Sequence, residues 1–220
     1  MHVGKNNPKY EYKMNNSTLS ETDLEKDLGI LTSSDMSWES HINAVVGKAN
    51  RQLGLIRSSF KYLDEFTMKL LYKSLVRPHL EYGATIWSPY WQKDKDKLES
   101  IQRRATKLES LRGFSYEKRL QKLDLPTLEN RRRRGDLIQM YKMSKGFDLI
   151  NLHHPPDKFS NERESRRHSE CIRRQLTHSR HRYNFFTNRV TGDWNGLTQE
   201  IIDSTTINQF KNRIDRHFCF

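Results

Sequence analysis

The spacing of apolar residues between Trp38 and Phe60 constrains this chain more than any other feature. Trp38, Ile42, Val45, Ala49, Leu53, Ile56 and Phe60 recur every three or four positions, the period of one helical face rather than the alternation of a strand. Ser37 stands just before the run, where a hydroxyl can accept a hydrogen bond from an orphan amide of the first turn. A helix this long with a single apolar face is stabilised chiefly by what covers that face. The chain is therefore expected to be mainly α.

The other face of the same helix carries Gly47, Asn50, Arg51, Gly54 and Ser58. Each interior glycine costs about 1 kcal/mol relative to alanine, so two readings stand: the glycines let another backbone approach closely, or they are tolerated on a solvated face. A second helix is expected from near Asp64, with Phe66, Leu70, Leu71, Leu75 and Val76 apolar, and Pro78 ends or kinks it. The aromatic run after it, Leu80, Tyr82, Ile86, Trp87, Tyr90 and Trp91, reads as core; base stacking by Trp87 or Trp91 is the alternative.

A third helix, about Asp94 to Leu111, places Leu98, Ile101, Ala105 and Leu108 on one side and Lys97, Arg103, Arg104 and Lys107 mostly on the other. After Gly113, Ser115 caps a short helix to Leu123. "LDLPT" breaks the chain, and a longer helix runs from about Leu128 to Lys145. That helix contains Arg131, Arg132, Arg133 and Arg134 in succession, which sweep about 300° of its circumference. At least one of them must meet a carboxylate, a helix C-terminus or a phosphate.

The two ends read differently. Residues 1–32 hold short β-like pieces, "YEYKM" and "EKDLGIL", separated by the turn-rich "GKNNP" and "NNS". Met1-His2-Val3-Gly4 reads as the tail of a strand, so the chain is expected to begin inside a larger sheet. Residues 151–182 read as a polar linker or weakly ordered segment. His168, Cys171, His178 and His181 fall there at irregular spacing with one thiol, which argues against zinc. Phe185, Phe186, Val190 and Trp194 suggest one short helix, and Ile207, Phe210, Ile214 and Phe218 a last one. The expected segments are 1–34, 35–91, 92–150, 151–182 and 183–220.

Charge gives the partner class. Thirty-nine Lys and Arg against twenty-seven Asp and Glu leave a net +12, which favours nucleic acid first and an acidic membrane surface second. Residues 92–134 concentrate that excess, with fourteen Lys and Arg against seven Asp and Glu, as a phosphate-tracking surface requires. The apolar fraction is 34% and the mean hydropathy −0.93, so the core is lean. Cys171 and Cys219 read as free thiols. No apolar run is long enough to cross a membrane and no apolar signal core opens the chain; an intracellular protein, in nucleus or cytoplasm, without membrane insertion is expected.

Catalysis finds little support. Metal-assisted phosphoryl or nucleotidyl transfer commonly uses paired aspartates, and the sequence contains no Asp-Asp pair. It contains no GxxxxGK[ST] loop, GxSxG elbow or HExxH helix either. Neither a cofactor nor enzymatic activity of the chain on its own is expected.

Read in order, "EKDLGIL", "SWESHI", "KANRQLGLIR", "LYKSLVRPHLEYGATIWSPY", "IQRRATK", "SYEKRLQKLDLPTLENRRRRGDLIQMYK", "FFTNRVTGDWN" and "INQFKNRID" resemble the C-terminal portion of reverse transcriptases from non-LTR, LINE-like retrotransposons of the jockey type. The likeness runs from about Met1 to Phe218. In that family a palm bearing the paired metal-binding aspartates precedes a helical thumb and a C-terminal region. The resemblance thus implies the end of a palm sheet, a thumb-like helical bundle and a C-terminal helical region, without the catalytic centre. It implies that Lys48, Arg51 and Arg57 lie on a thumb helix along template and primer, with Gly47 and Gly54 admitting the backbone. Arg103, Arg104 and Lys107 would come next, near the nucleic acid. Arg131 to Arg134 join them on charge alone. The family pattern is broken at Glu109-Ser110 and at Thr198, where proline is general. The implied partner is RNA, RNA/DNA hybrid or DNA. The alternatives are a protein-interaction module, completed by a polymerase palm on another chain, and a degenerate mobile-element remnant.

Overall fold

Two hairpins open the chain, each on a two-residue turn with positive φ that Asn15, Asn16 and Gly29 accept readily and Leu28 adopts against its preference. Strands β1 (Lys13–Met14) and β2 (Ser17–Thr18) pair antiparallel across Asn15 and Asn16, which have φ of 48° and 65°. Strands β3 (Leu24–Asp27) and β4 (Ile30–Ser33) pair across Leu28 and Gly29, at 45° and 87°. Two central residues with positive φ match the twist of antiparallel strands. These are two separate two-stranded sheets. Met1 to Val3, expected as the tail of a strand, is not in one; no pairing strand is present there among the described residues to satisfy it. This computed structural model describes residues 1–3, 7–159 and 168–220, so Gly4 of that expected strand lies outside the described residues. With 54% helix and 7% strand, the protein is mainly helical.

Its contacts gather it into two compact units. The first comprises Met1–Gly83 and Trp91–Phe114, the second Ala84–Tyr90 and Ser115–Phe220. The segments expected at 35–91 and 92–150 therefore each contribute to both.

In the first unit, α1 (Glu39–Ser59) begins two residues after Ser37, whose hydroxyl accepts the Glu39 amide at 3.2 Å. Ile42, Val45, Ala49, Leu53 and Ile56 are buried as the spacing predicts, while Phe60 at its end is exposed. The next helical stretch departs from expectation. α2 (Glu65–Leu71), capped by the Asp64 carboxylate accepting from the Thr67 amide at 2.6 Å, passes into a π-turn at Tyr72–Val76 and then α3 (Arg77–Glu81). Pro78 lacks an amide proton, so its helical hydrogen bond is missing. The wider turn, in which the Arg77 amide reaches the Tyr72 carbonyl, lets the helix continue through it instead of ending. The turn also shifts the buried face: Met68, Tyr72, Val76 and Leu80 are in the core, whereas Phe66, Leu70 and Leu75 are exposed.

The chain forms α4 (Ala84–Trp87) as part of the second unit. It returns to the first as α5 (Gln92–Ala105), which ends six residues earlier than expected; a 3-10 turn at Glu109–Leu111 replaces its last turn. Leu98, Ile101 and Ala105 join the core. Inside it, the Tyr72 hydroxyl donates to the Gln102 side-chain oxygen at 2.7 Å, satisfying both polar groups away from water.

The second unit is built on α6 (Tyr116–Leu123), capped by Ser115, and α7 (Leu128–Ser144), capped by Thr127. The expected single helix near Phe186 is three short ones, α8 (Arg180–Tyr183), α9 (Phe186–Arg189) and α10 (Thr191–Asn195). α11 (Gln199–Ile202) and α12 (Ile207–Phe218) complete it. Leu137, Tyr141, Trp194, Ile202, Phe210 and Ile214 form the centre of its core. Tyr141 stacks on Phe210 at 4.1 Å between ring centroids and donates its hydroxyl to the Ser204 carbonyl at 2.5 Å. Part of the segment expected to be a linker is packed here: Cys171 and Ile172 are buried, and Ile172 bridges to Lys158. The central part of that expectation, residues 160–167, lies outside the described residues.

Candidate nucleic-acid interface

Helices α1 and α5 run parallel and in register. Glu39 meets Lys93 at 3.2 Å, Asn43 meets Lys97 at 3.1 Å, and Asn50 meets Arg104, each pair 54 residues apart. Lys93 and Lys97 hold the Glu39 carboxyl below its ordinary range. At the far end the Arg57 guanidinium donates to the backbone carbonyls of Arg104 and Lys107. These carbonyls lie at and just beyond the close of α5, where a cation is favourable. Burial first, and the neighbouring Arg104 second, push the Arg57 pKa down.

This pairing sorts the basic residues of the first unit. Arg57 and Arg104 are joined to the fold through those bonds. Lys48, Arg51 and Lys107 are exposed, and their side chains make no hydrogen bond or ion pair among the described residues. Arg103 is exposed as well. Lys48 and Arg51 lie one turn apart on α1. Gly54 stands at the next turn, and a Cβ added there would have no neighbour within 4 Å. No close packing of described residues explains that glycine. Gly47 is similar, its added Cβ meeting only the Arg51 guanidinium at 3.7 Å.

The four arginines of α7 have another setting. Arg133 grips Asp193 with two bonds of 2.7 Å, and Arg134 grips Asp215 at 2.6 and 2.9 Å. The bidentate bond to Asp193 raises the Arg133 pKa. Arg132 is buried beside Asp136, and Arg131 is half-buried. Asp136 is itself held by Arg189 through two bonds of 2.8 Å, and Arg189 also donates to the Thr85 carbonyl. Such forks match the guanidinium to a carboxylate as they would to a phosphate, so sequence alone could not separate the two uses. Arg189, in "FFTNRV", is the residue that sequence reasoning missed. Its signal would have been Asp136, an acid near the buried face of α7 that needs a cation.

The four residues considered for zinc are dispersed. His168 is buried and Cys171 is a buried free thiol, while His178 and His181 are exposed, with His181 against the Tyr90 ring. Among the described residues no group of three or more His, Cys, Asp or Glu could hold a metal ion. No helix among them is long and apolar enough to cross a membrane. Trp87, considered for base stacking, is fully buried; Trp91 is exposed.

No known protein family, curated protein or solved structure matches this chain. The physical properties of the surface therefore carry the functional argument.

Proposed function

We propose that this chain is a non-catalytic nucleic-acid-binding portion of an RNA-directed DNA polymerase of the non-LTR retrotransposon type. In this reading the helices of the first unit are its thumb and the two hairpins are the end of its palm sheet. The observation that carries the reading is the open strip on α1. Lys48 and Arg51 present charge beside Gly54, a position where the described residues leave space and where a side chain would cost the helix nothing. A phosphate backbone lying against that strip uses both the cations and the missing side chain, and Arg103 and Lys107 extend the charge at the end of α5. Binding of this kind reads phosphates and has little sequence preference.

The test is fluorescence anisotropy of a blunt RNA/DNA hybrid titrated at several salt concentrations. Wild-type protein is expected to show a log-log salt slope of several units, and Lys48→Ala/Arg51→Ala a slope smaller by about 2. A flat slope, or one that the double variant leaves unchanged, sinks the reading. DNA synthesis by the purified chain with added magnesium would refute its non-catalytic part.

A further inference from the structure

The end of the first unit where α1 closes and α2 begins exposes more aromatic surface than a solvated helix junction needs. Phe60, Tyr62 and Phe66 fall within seven residues and are 43%, 84% and 77% exposed. Single exposed rings are ordinary on a protein surface. Three together, beside cations, form a pattern with a use. Lys61 stands over the Tyr62 ring at 5.7 Å. The structure ties the close of α5 to the same end, because Arg57, three residues before Phe60, holds the carbonyls of Arg104 and Lys107, and Ser110 donates to the Glu65 carboxylate at 2.9 Å. The exposed Lys107 thus belongs to this end as well.

The acids of the region are engaged locally. The Asp64 carboxylate caps α2 by accepting from the Thr67 amide, Glu65 accepts from Ser110, and Glu109 pairs with Arg112 at 3.1 Å. Asp64, Glu109 and Arg112 face water beside the rings, Lys61 and Lys107, and across residues 57–69 and 103–112 seven Lys and Arg against three Asp and Glu leave this end net positive.

We infer that Tyr62 and Phe66 form a stacking platform for the unpaired bases of a single-stranded nucleic acid, with Lys61 and Lys107 meeting its phosphates. The inference rests on the nucleic-acid reading of α1 and adds the strand type that this end accepts. Charge complementarity selects the occupant: a polyanion with flat apolar faces satisfies both the cations and the rings, which a neutral apolar helix would not. Base stacking of this kind tolerates any sequence, because every base has a π-face. The blunt duplex has its bases stacked internally and offers the platform only its ends.

Two probes separate this inference from the reading beneath it: a short single-stranded oligonucleotide carrying 2-aminopurine, and the blunt RNA/DNA hybrid. Each is titrated with wild-type protein, Tyr62→Ala/Phe66→Ala and Tyr62→Leu/Phe66→Leu, with sedimentation velocity on the same samples. Both side chains are exposed, so the variants are expected to fold. The expected result is quenching of 2-aminopurine by wild type and single-strand affinity reduced about fivefold or more for each ring lost. The leucine variant should fail like the alanine variant, and hybrid affinity should stay unchanged. If the alanine variant binds the single strand as wild type does while the hybrid keeps its salt slope, the platform is refuted and the nucleic-acid reading stands. Failure of wild type to bind either probe refutes both. If wild type self-associates and the alanine variant does not, with nucleic-acid binding equal, the rings belong to a second copy of the chain and the inference is overturned.

Discussion

Arginine serves the two units in different ways. On α7 in the second unit, Arg133 and Arg134 reach carboxylates on α10 and α12, Asp193 and Asp215, and Arg189 reaches back from α9 to Asp136. On α1 in the first unit, Arg51 and Lys48 face water with no such partner among the described residues. By density of positive charge in the sequence, the α7 quartet is the stronger candidate for phosphate. By tertiary placement it is the weaker one. A run of arginines reports demand for anions, and a folded chain can supply those anions itself.

The sharpest way to break this comparison is to remove Arg189. Its side chain is 17% exposed and that of Asp136 is 10%, and burial pushes the Asp136 carboxyl above its ordinary range against the pull of Arg189. Arg189→Ala leaves that carboxylate buried without its fork and is expected to destabilise the protein by about 3 kcal/mol in urea unfolding. A loss below about 1 kcal/mol would show that the pair contributes little. Arg133→Ala and Arg134→Ala should each cost less, about 1 kcal/mol, because these pairs are more solvated, with the Arg133 side chain 42% exposed. Neither is expected to lower the salt slope of hybrid binding. A fall of about one unit in either would move that arginine from the fold to the interface.

Glycine gives an effect of opposite sign. Gly54→Ala is expected to raise the stability of the first unit by about 1 kcal/mol, since the helix gains propensity and the new methyl meets nothing. It should at the same time weaken hybrid binding if a backbone lies there. Higher stability with unchanged affinity would restore the view of a tolerated glycine on a solvated face. Lys48→Ala and Arg51→Ala, by contrast, should leave stability within about 0.5 kcal/mol of wild type, as expected of surface positions.

The smallest effect is a shared one. Each unit buries a neutral histidine: His41 accepts the Leu31 amide on Nδ1 at 3.2 Å, and His168 Nε2 meets the Trp194 carbonyl at 2.8 Å while its Nδ1 accepts the Glu170 amide. Burial is the leading cause lowering both pKa values below 6.5. Between the lowered folded pKa and 6.5 the unfolded chain binds more protons, so the contribution of each histidine is complete above pH 6.5 and is lost as pH falls through the folded value. Histidine NMR titrations should place both midpoints below 6.5. A midpoint at or above 6.5 for either would contradict its burial as the dominant influence.

Much of the fold was legible because local rules decided it. The α1 face arises from the period of Ile42 to Ile56, and Ser115 and Asp64 mark helix starts whose amides they do accept. The last helix was equally legible from Ile207, Phe210 and Ile214. The exposed face of α2 was not. One extra residue in the π-turn rotates everything before Pro78 relative to the helix beyond it, so an ideal 3.6-residue period points Phe66 and Leu70 the wrong way. The candidate site was half legible: charge and glycine spacing mark α1, but which cations remain available depends on partners as far as 81 residues away, such as Asp215 for Arg134.

By itself, then, the sequence determined a mainly helical protein with a basic surplus, because helical periodicity, caps and net charge are properties of neighbouring residues and their sum. The tertiary structure decided which side chains use that surplus. Arg57, Arg133, Arg134 and Arg189 meet carbonyls or carboxylates that folding brings to them, while Lys48, Arg51 and Lys107 stay in water. The physical reason is that a guanidinium or ammonium is satisfied by any anion in reach, and reach is set by packing rather than by position along the chain.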